Sequence, residues 1–153
     1  MKLKHLPILF FAACTALFIL SYAYAAITAL WIGTVASNPG NQTVNEPYPT
    51  NAYTWFWYNT DGNGYFDWWV KHKVQKHWFL WWWTDAGSGI ATSGNHTYIG
   101  PPITDAYLYV SSAYNFTHAE ADKYRFRSEA HSESTIYPNQ ADKNADWQEY
   151  YIY

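Results

Sequence analysis

The chain reads as an all-β protein: an antiparallel β-sandwich or small barrel of about seven or eight strands, with an N-terminal strand on a long tether. Three observations predict this. Apolar and polar residues alternate with period two through most of the sequence. The runs are built from strand formers, among them 10 Trp, 15 Tyr and 8 Phe. Gly, Pro and Asn clusters recur between the runs, at the spacing of short antiparallel strands. The single cysteine, Cys14, lies in the first apolar run, so disulfides do not hold the domain that follows.

Residues 1–25 have the build of a signal peptide. Lys2 and Lys4 precede an apolar stretch from Leu6 to Leu20, and Ala23-Tyr-Ala25 supplies small residues for cleavage. The expected product is secreted, extracellular or held at the cell surface, with no membrane span after cleavage. Two alternatives stand beside this: an uncleaved apolar anchor, and a lipoprotein box at Phe11-Ala-Ala-Cys14, against which the apolar run continues past the cysteine. The whole chain has a formal net charge of −3, and loss of Lys2 and Lys4 makes the product more acidic. Nucleic acid is therefore excluded as a partner.

Residues 26–36 are expected as a strand, with Ile27, Ala29, Trp31 and Val35 on one face and Thr28, Leu30, Ile32 and Thr34 on the other. Residues 37–51 hold Pro39-Gly40, Pro47 and Pro49 among polar residues and read as a linker with almost nothing to bury. A strand on such a tether pairs within its own domain or with the next subunit. The second arrangement is strand exchange, with Ile27, Ala29, Trp31 and Val35 as the assembly strand. Residues 52–153 form the sandwich domain. Tyr65–Thr84 contains neither Gly nor Pro and is too long for one straight strand, so a bend is expected near Lys71–His77. Asp85–Gly89 and Ser93–Asn95 punctuate, Ile103–Ala113 is a strand, and Thr117–Thr135 is amphipathic. In that last segment Tyr124, Phe126, Ser128 and Ala130 oppose Lys123, Arg125, Arg127, Glu129, His131 and Glu133. Pro138–Asn144 reads as a loop before a final aromatic strand, Trp147–Tyr153.

The stretch Asn59-Thr-Asp-Gly-Asn-Gly-Tyr-Phe-Asp67 places side-chain oxygens at Asn59, Asp61, Asn63 and Asp67, with Gly64 to let the chain turn. Hard cations require such oxygen clusters. The stretch resembles the DxDxDG loops of EF-hands and, more closely, the DxDxDGxxD loops of integrin-type propellers. It departs from them in carrying the neutral Asn59 where they carry Asp, and Val70 where an EF-hand has its bidentate Glu. The resemblance implies calcium held on a clipped hairpin; the alternative is a plain turn built on Asp-Gly and Asn-Gly.

Trp78-Phe-Leu-Trp-Trp-Trp83 is a run of apolar rings that points to both strand faces. With Trp69 it supplies either a subunit contact or a sugar platform, the latter on Trp69, Trp81 and Trp83; burial under a loop is the plain structural alternative. His72 is expected as a hydrogen-bonded core histidine rather than a ligand. No nucleophile elbow, zinc spacing or convergent carboxylate pair points to catalysis. Asn41, Asn95 and Asn115 head three N-x-Thr glycosylation sequons. Val110-Ser-Ser-Ala-Tyr114 with His118, and Tyr150-Tyr-Ile-Tyr153, resemble lactococcin-type secreted bacteriocins, themselves small β-sandwiches free of cysteine. The leading expectation is a non-enzymatic, calcium-stabilised structural subunit that joins copies of itself into an extracellular filament or surface assembly. A carbohydrate-binding module acting on polysaccharide through exposed Trp is the alternative, and a bacteriocin of that type the third.

Overall fold

The computed structural model describes residues 27–134 and 140–153; residues 1–26, which include the expected signal peptide, and residues 135–139 lie outside them. Seven strands form two antiparallel sheets in a sandwich, as the alternation predicts. They are β1 (Ile27–Ala36), β2 (Tyr48–Thr60), β3 (Gly64–Phe79), β4 (Trp82–Tyr98), β5 (Ile103–Phe116), β6 (Asp122–Ser134) and β7 (Gln140–Ile152). Sheet A has the order β1-β2-β5 and sheet B the order β4-β3-β6-β7.

The core lies between the sheets, in two clusters. One gathers Ala36, Tyr48, Ala52, Val74, Phe116, Tyr124, Phe126, Tyr150 and Ile152. The other gathers Ile27, Leu30, Ile32, Phe56, Tyr58, Phe66, Val70 and Ala130. Between them the layers are joined by hydroxyls: Thr34 Oγ1 lies 3.0 Å from Thr54 Oγ1 and 3.1 Å from Ser128 Oγ. Thr34 can donate to one of these hydroxyls and accept from the other, which ties β1 to β2 in its own sheet and to β6 in the facing one.

Several elements differ from expectation, each for a physical reason. The inward face of β1 is Leu30, Ile32, Thr34 and Ala36, with Ile27 turned to the same side by a bulge between Ile27 and Ala29. The set Ile27, Ala29, Trp31, Val35 is thereby split. The loop at 61–63 does not close a hairpin: β2 and β3 belong to different sheets, and Tyr58 and Phe66 face each other across the core with ring centroids 5.4 Å apart. The Tyr65–Thr84 run turns at Leu80–Trp81, beyond the expected bend. Bending at 71–77 comes instead from register shifts against β4, at Val70/Lys71 and Val74/Gln75. The glycines of 85–95 do not break the chain. They lie inside β4, where a Cβ on Gly89 would fall within the Tyr114 ring and one on Gly94 would come 2.9 Å from Trp68.

Residues 140–144, expected as loop, are strand. The tether is docked rather than free. Gln42 and Val44 donate main-chain bonds to the carbonyls of Tyr151 and Tyr153, Asn45 donates to His118, and Tyr48 and Thr50 are already buried in β2.

β1 sits at the edge of its sheet, and its outer edge is met by side chains of β7. Asp142 Oδ2 accepts from Ile32 N at 2.6 Å, Asn144 Nδ2 donates to Ile32 O at 2.6 Å, and Asp146 Oδ2 accepts from Ala36 N at 2.8 Å. Spaced two apart, these residues share one face of β7 and substitute for a neighbouring strand.

Candidate functional site

The outer face of sheet A is an aromatic surface. In β2 the inward residues are Thr54, Phe56 and Tyr58, which leaves Tyr53, Trp55 and Trp57 pointing outward. Register then sets three rows across the strands: Trp31, Trp57 and Tyr107; Gly33, Trp55 and Tyr109; Val35, Tyr53 and Ser111. Tyr53 and Tyr109 lie 6.4 Å apart with planes 9° from parallel, Trp55 and Trp57 lie 6.3 Å apart at 19°, and Trp55 and Tyr109 lie 5.4 Å apart with planes tilted by 52°. Gly33 makes room for Trp57. A Cβ there would come 2.9 Å from Trp57 Cζ3, so the indole lies across β1 instead of standing off it.

Charge is segregated between the layers. β1, β2 and β5 together contain one charged residue, Asp105, whereas every lysine and arginine after Lys4 stands on β3, β6 or β7. On the outer face of sheet B, Lys73 pairs with Asp85 at 2.8 Å, Lys123 with Glu149 and Arg127 with Glu129. The aromatic surface is flanked by neutral hydrogen-bonding groups, Asn51, Ser111 and Asn115.

The expected Trp run is exposed at the tip of the β3–β4 hairpin. Trp78, Phe79, Leu80, Trp81 and Trp82 are 68, 58, 61, 75 and 58% exposed. Trp83 instead lies under Arg125, whose guanidinium carbon is 4.7 Å from the ring centre. Trp69 is not brought to this group. It stands on sheet B beside His131, ring centroids 5.4 Å apart, and eight residues of β3 separate it from His77, the partner of Trp83. At the rise of a strand that is roughly 26 Å, so Trp69, Trp81 and Trp83 do not form one platform.

The four oxygen residues of the 59–67 stretch are engaged separately. Asn59 Oδ1 accepts from Asp105 N at 2.8 Å, Asn63 Oδ1 accepts from Gly100 N at 3.2 Å, and Asp67 Oδ1 accepts from the Tyr65 hydroxyl at 2.6 Å. Asp61 is exposed in the turn. A cation held by all four would have to displace or share those three bonds. Among the described residues no three His, Cys, Asp or Glu side chains converge as a metal site would need. The sequon residues Asn41, Asn95 and Asn115 are all exposed.

His72 is buried, as expected. Its Nδ1 lies 2.9 Å from Thr50 Oγ1 and its Nε2 2.9 Å from Ser112 Oγ. Burial pushes its pKa down to about 4, and burial also lowers His96 and His118. All three rings are neutral at pH 7, and none lies on the aromatic surface.

No family model matches the chain, and no curated protein matches it. Solved structures resemble it at low similarity. A β-glucuronidase 2 of Bacteroides uniformis covalently bound to cyclophellitol-6-carboxylate aziridine is 9% identical, with a TM-score of 0.45 over 82% of this chain and 14% of that one. A Listeria innocua β-glucosidase in complex with gluconolactone is 8% identical, with a TM-score of 0.40 over 79% of this chain and 16% of that one. The Bacillus subtilis sporulation control protein Spo0M is 10% identical, with a TM-score of 0.31 over 82% of this chain and 50% of that one. The chain thus spans half or less of each of these proteins, and at such TM-scores the likenesses carry no argument about activity.

The signal for the aromatic surface was present in the sequence as Tyr53-x-Trp-x-Trp57 and Tyr107-x-Tyr109. It was hidden because β2 is aromatic on both faces, and because β1, β2 and β5 become neighbours only in the fold.

Proposed function

We propose that the chain is an exported, non-enzymatic domain that binds an uncharged polysaccharide on the outer face of sheet A. The observation that carries the reading is the register-aligned aromatic set Trp31, Tyr53, Trp55, Trp57, Tyr107 and Tyr109 on a layer almost without charge. A pyranose ring presents an apolar C–H face that stacks on an aromatic face, while its equatorial hydroxyls reach amide and hydroxyl groups at the edge. Fixed rings lose little conformational entropy on binding, and a neutral glycan gives up no counter-charge there.

The test is retention on insoluble neutral polysaccharides such as cellulose and chitin, with affinity electrophoresis in soluble neutral glucans. The wild type is expected to be retained, and the double variant Trp55→Ala/Trp57→Ala to lose at least tenfold in affinity while staying folded. Failure of the wild type across such a panel, or unchanged binding by the variant, overturns the reading. Calcium enters it as a stabiliser of the 59–67 turn: a chelator would lower the melting temperature of the wild type and leave Asp61→Ala unmoved.

The second reading, assembly by strand exchange, is favoured by one observation. β1 is both the first of the described strands and an edge strand, so it can leave and re-pair with another copy without threading. That reading expects filaments that disappear when residues 27–36 are deleted.

A further inference from the structure

The hairpin tip opposite the chain entry is a second, independent feature. We infer that Trp78–Trp82 inserts into the interfacial layer of a lipid bilayer, with zwitterionic lipid sufficient for binding. The five side chains are consecutive, so they point to both faces of the ribbon and leave it apolar all round. They are self-clustered, with Trp78 6.2 Å from Trp82 and 6.3 Å from Phe79, and more than half of each is exposed.

Together they present roughly 600 Å² of apolar surface, at the top of the range that marks an interaction site. That is less than the roughly 800 Å² per partner a stable protein interface buries. A flat partner would also cover only one side of a convex tip. A bilayer interface needs no matching shape and surrounds the tip, and indole rings settle at the headgroup level.

The turn itself gives a separate indication. Leu80 holds φ at +50°, a conformation that glycine or asparagine adopts at less cost. An apolar residue thus occupies a position where turn chemistry alone would select a different one.

Charge behind the tip decides which lipid. Lys73 is paired with Asp85, Lys76 with Glu120 and Asp122, and Lys123 with Glu149, while Arg125 donates to Gln75 and covers Trp83. This collar offers no net attraction to anionic headgroups, so the rings supply the binding.

The experiment is co-sedimentation of the folded protein with phosphatidylcholine vesicles, with quenching of Trp fluorescence by brominated phosphatidylcholine. The wild type is expected to bind and to be quenched, and Trp78→Ser/Trp81→Ser to bind at least tenfold more weakly. Trp55→Ala/Trp57→Ala on sheet A should bind vesicles as the wild type does, which separates this site from the glycan surface. Near-ultraviolet circular dichroism establishes that both variants are folded. The inference is overturned if folded wild type stays in the supernatant, or if binding appears only with anionic lipid. It is equally overturned if the sheet A variant loses vesicle binding, or if the tip instead mediates a dimer that Trp78→Ser/Trp81→Ser dissolves.

Discussion

At the scale of single residues, the buried His72 is the group with the most to lose from a change of pH. Thr50 donates its one hydroxyl proton to the Tyr114 carbonyl, at 2.9 Å. Thr50 Oγ1 therefore accepts from His72 Nδ1–H, and Nε2 accepts from Ser112. The folded pKa of about 4 lies below the ordinary histidine value of 6.5, so the unfolded chain takes up a proton that the folded chain refuses. Stability from this group is complete above pH 6.5 and is lost as pH falls from there through 4, by on the order of 3 kcal/mol. His96 and His118 act in the same direction. Urea unfolding midpoints should fall between pH 7.5 and pH 4.5, and His72→Gln should flatten that slope. Tyr48 and Tyr150 form a second buried pair, hydroxyls 2.6 Å apart, with burial raising Tyr48 to about 12 and Tyr150 in the same direction. Tyr150→Phe strands the Tyr48 hydroxyl and should cost about 1–2 kcal/mol in urea unfolding. His72 was legible in the sequence as the polar interruption of an apolar strand face; its two partners, on β2 and β5, were not.

At the scale of elements, legibility followed what each strand's side chains serve. β6 was plain because Tyr124, Phe126, Ser128 and Ala130 face the core and charged residues face out. β7 was not, because Asp142, Asn144 and Asp146 serve the backbone edge of β1 and read as loop composition. β4 was missed because Gly87, Gly89 and Gly94 answer to the rings above them rather than to a turn. Two outcomes follow from this. Asp146→Ala should leave Ala36 N without its acceptor, lower stability by about 1–2 kcal/mol and speed hydrogen exchange at that amide. Gly89→Val should displace Tyr114 and cost about 1–3 kcal/mol, read by thermal unfolding.

At the scale of the whole molecule, two layers with the same architecture carry opposite surfaces. Composition announced the excess of rings but not their location, since aromatic residues occur on both faces of β2. If sheet A binds glycan through rings alone, the affinity should change little between low and high salt, because no cation lies on that layer for ions to screen. A steep salt dependence would place the contact on β3 and β6 instead.

The described chain enters at one end of the sandwich and places its hairpin tip at the other. Ile27 lies against Gly64, where β3 begins, and β3 runs sixteen residues before the turn, a reach of roughly 50 Å. A reporter fused ahead of Ile27 is therefore held clear of the indoles. One fused after Tyr153 sits beside Asp122, on the tip side, and would crowd them. For any assay on a bead or sensor chip, the attachment point decides which end of the molecule is displayed.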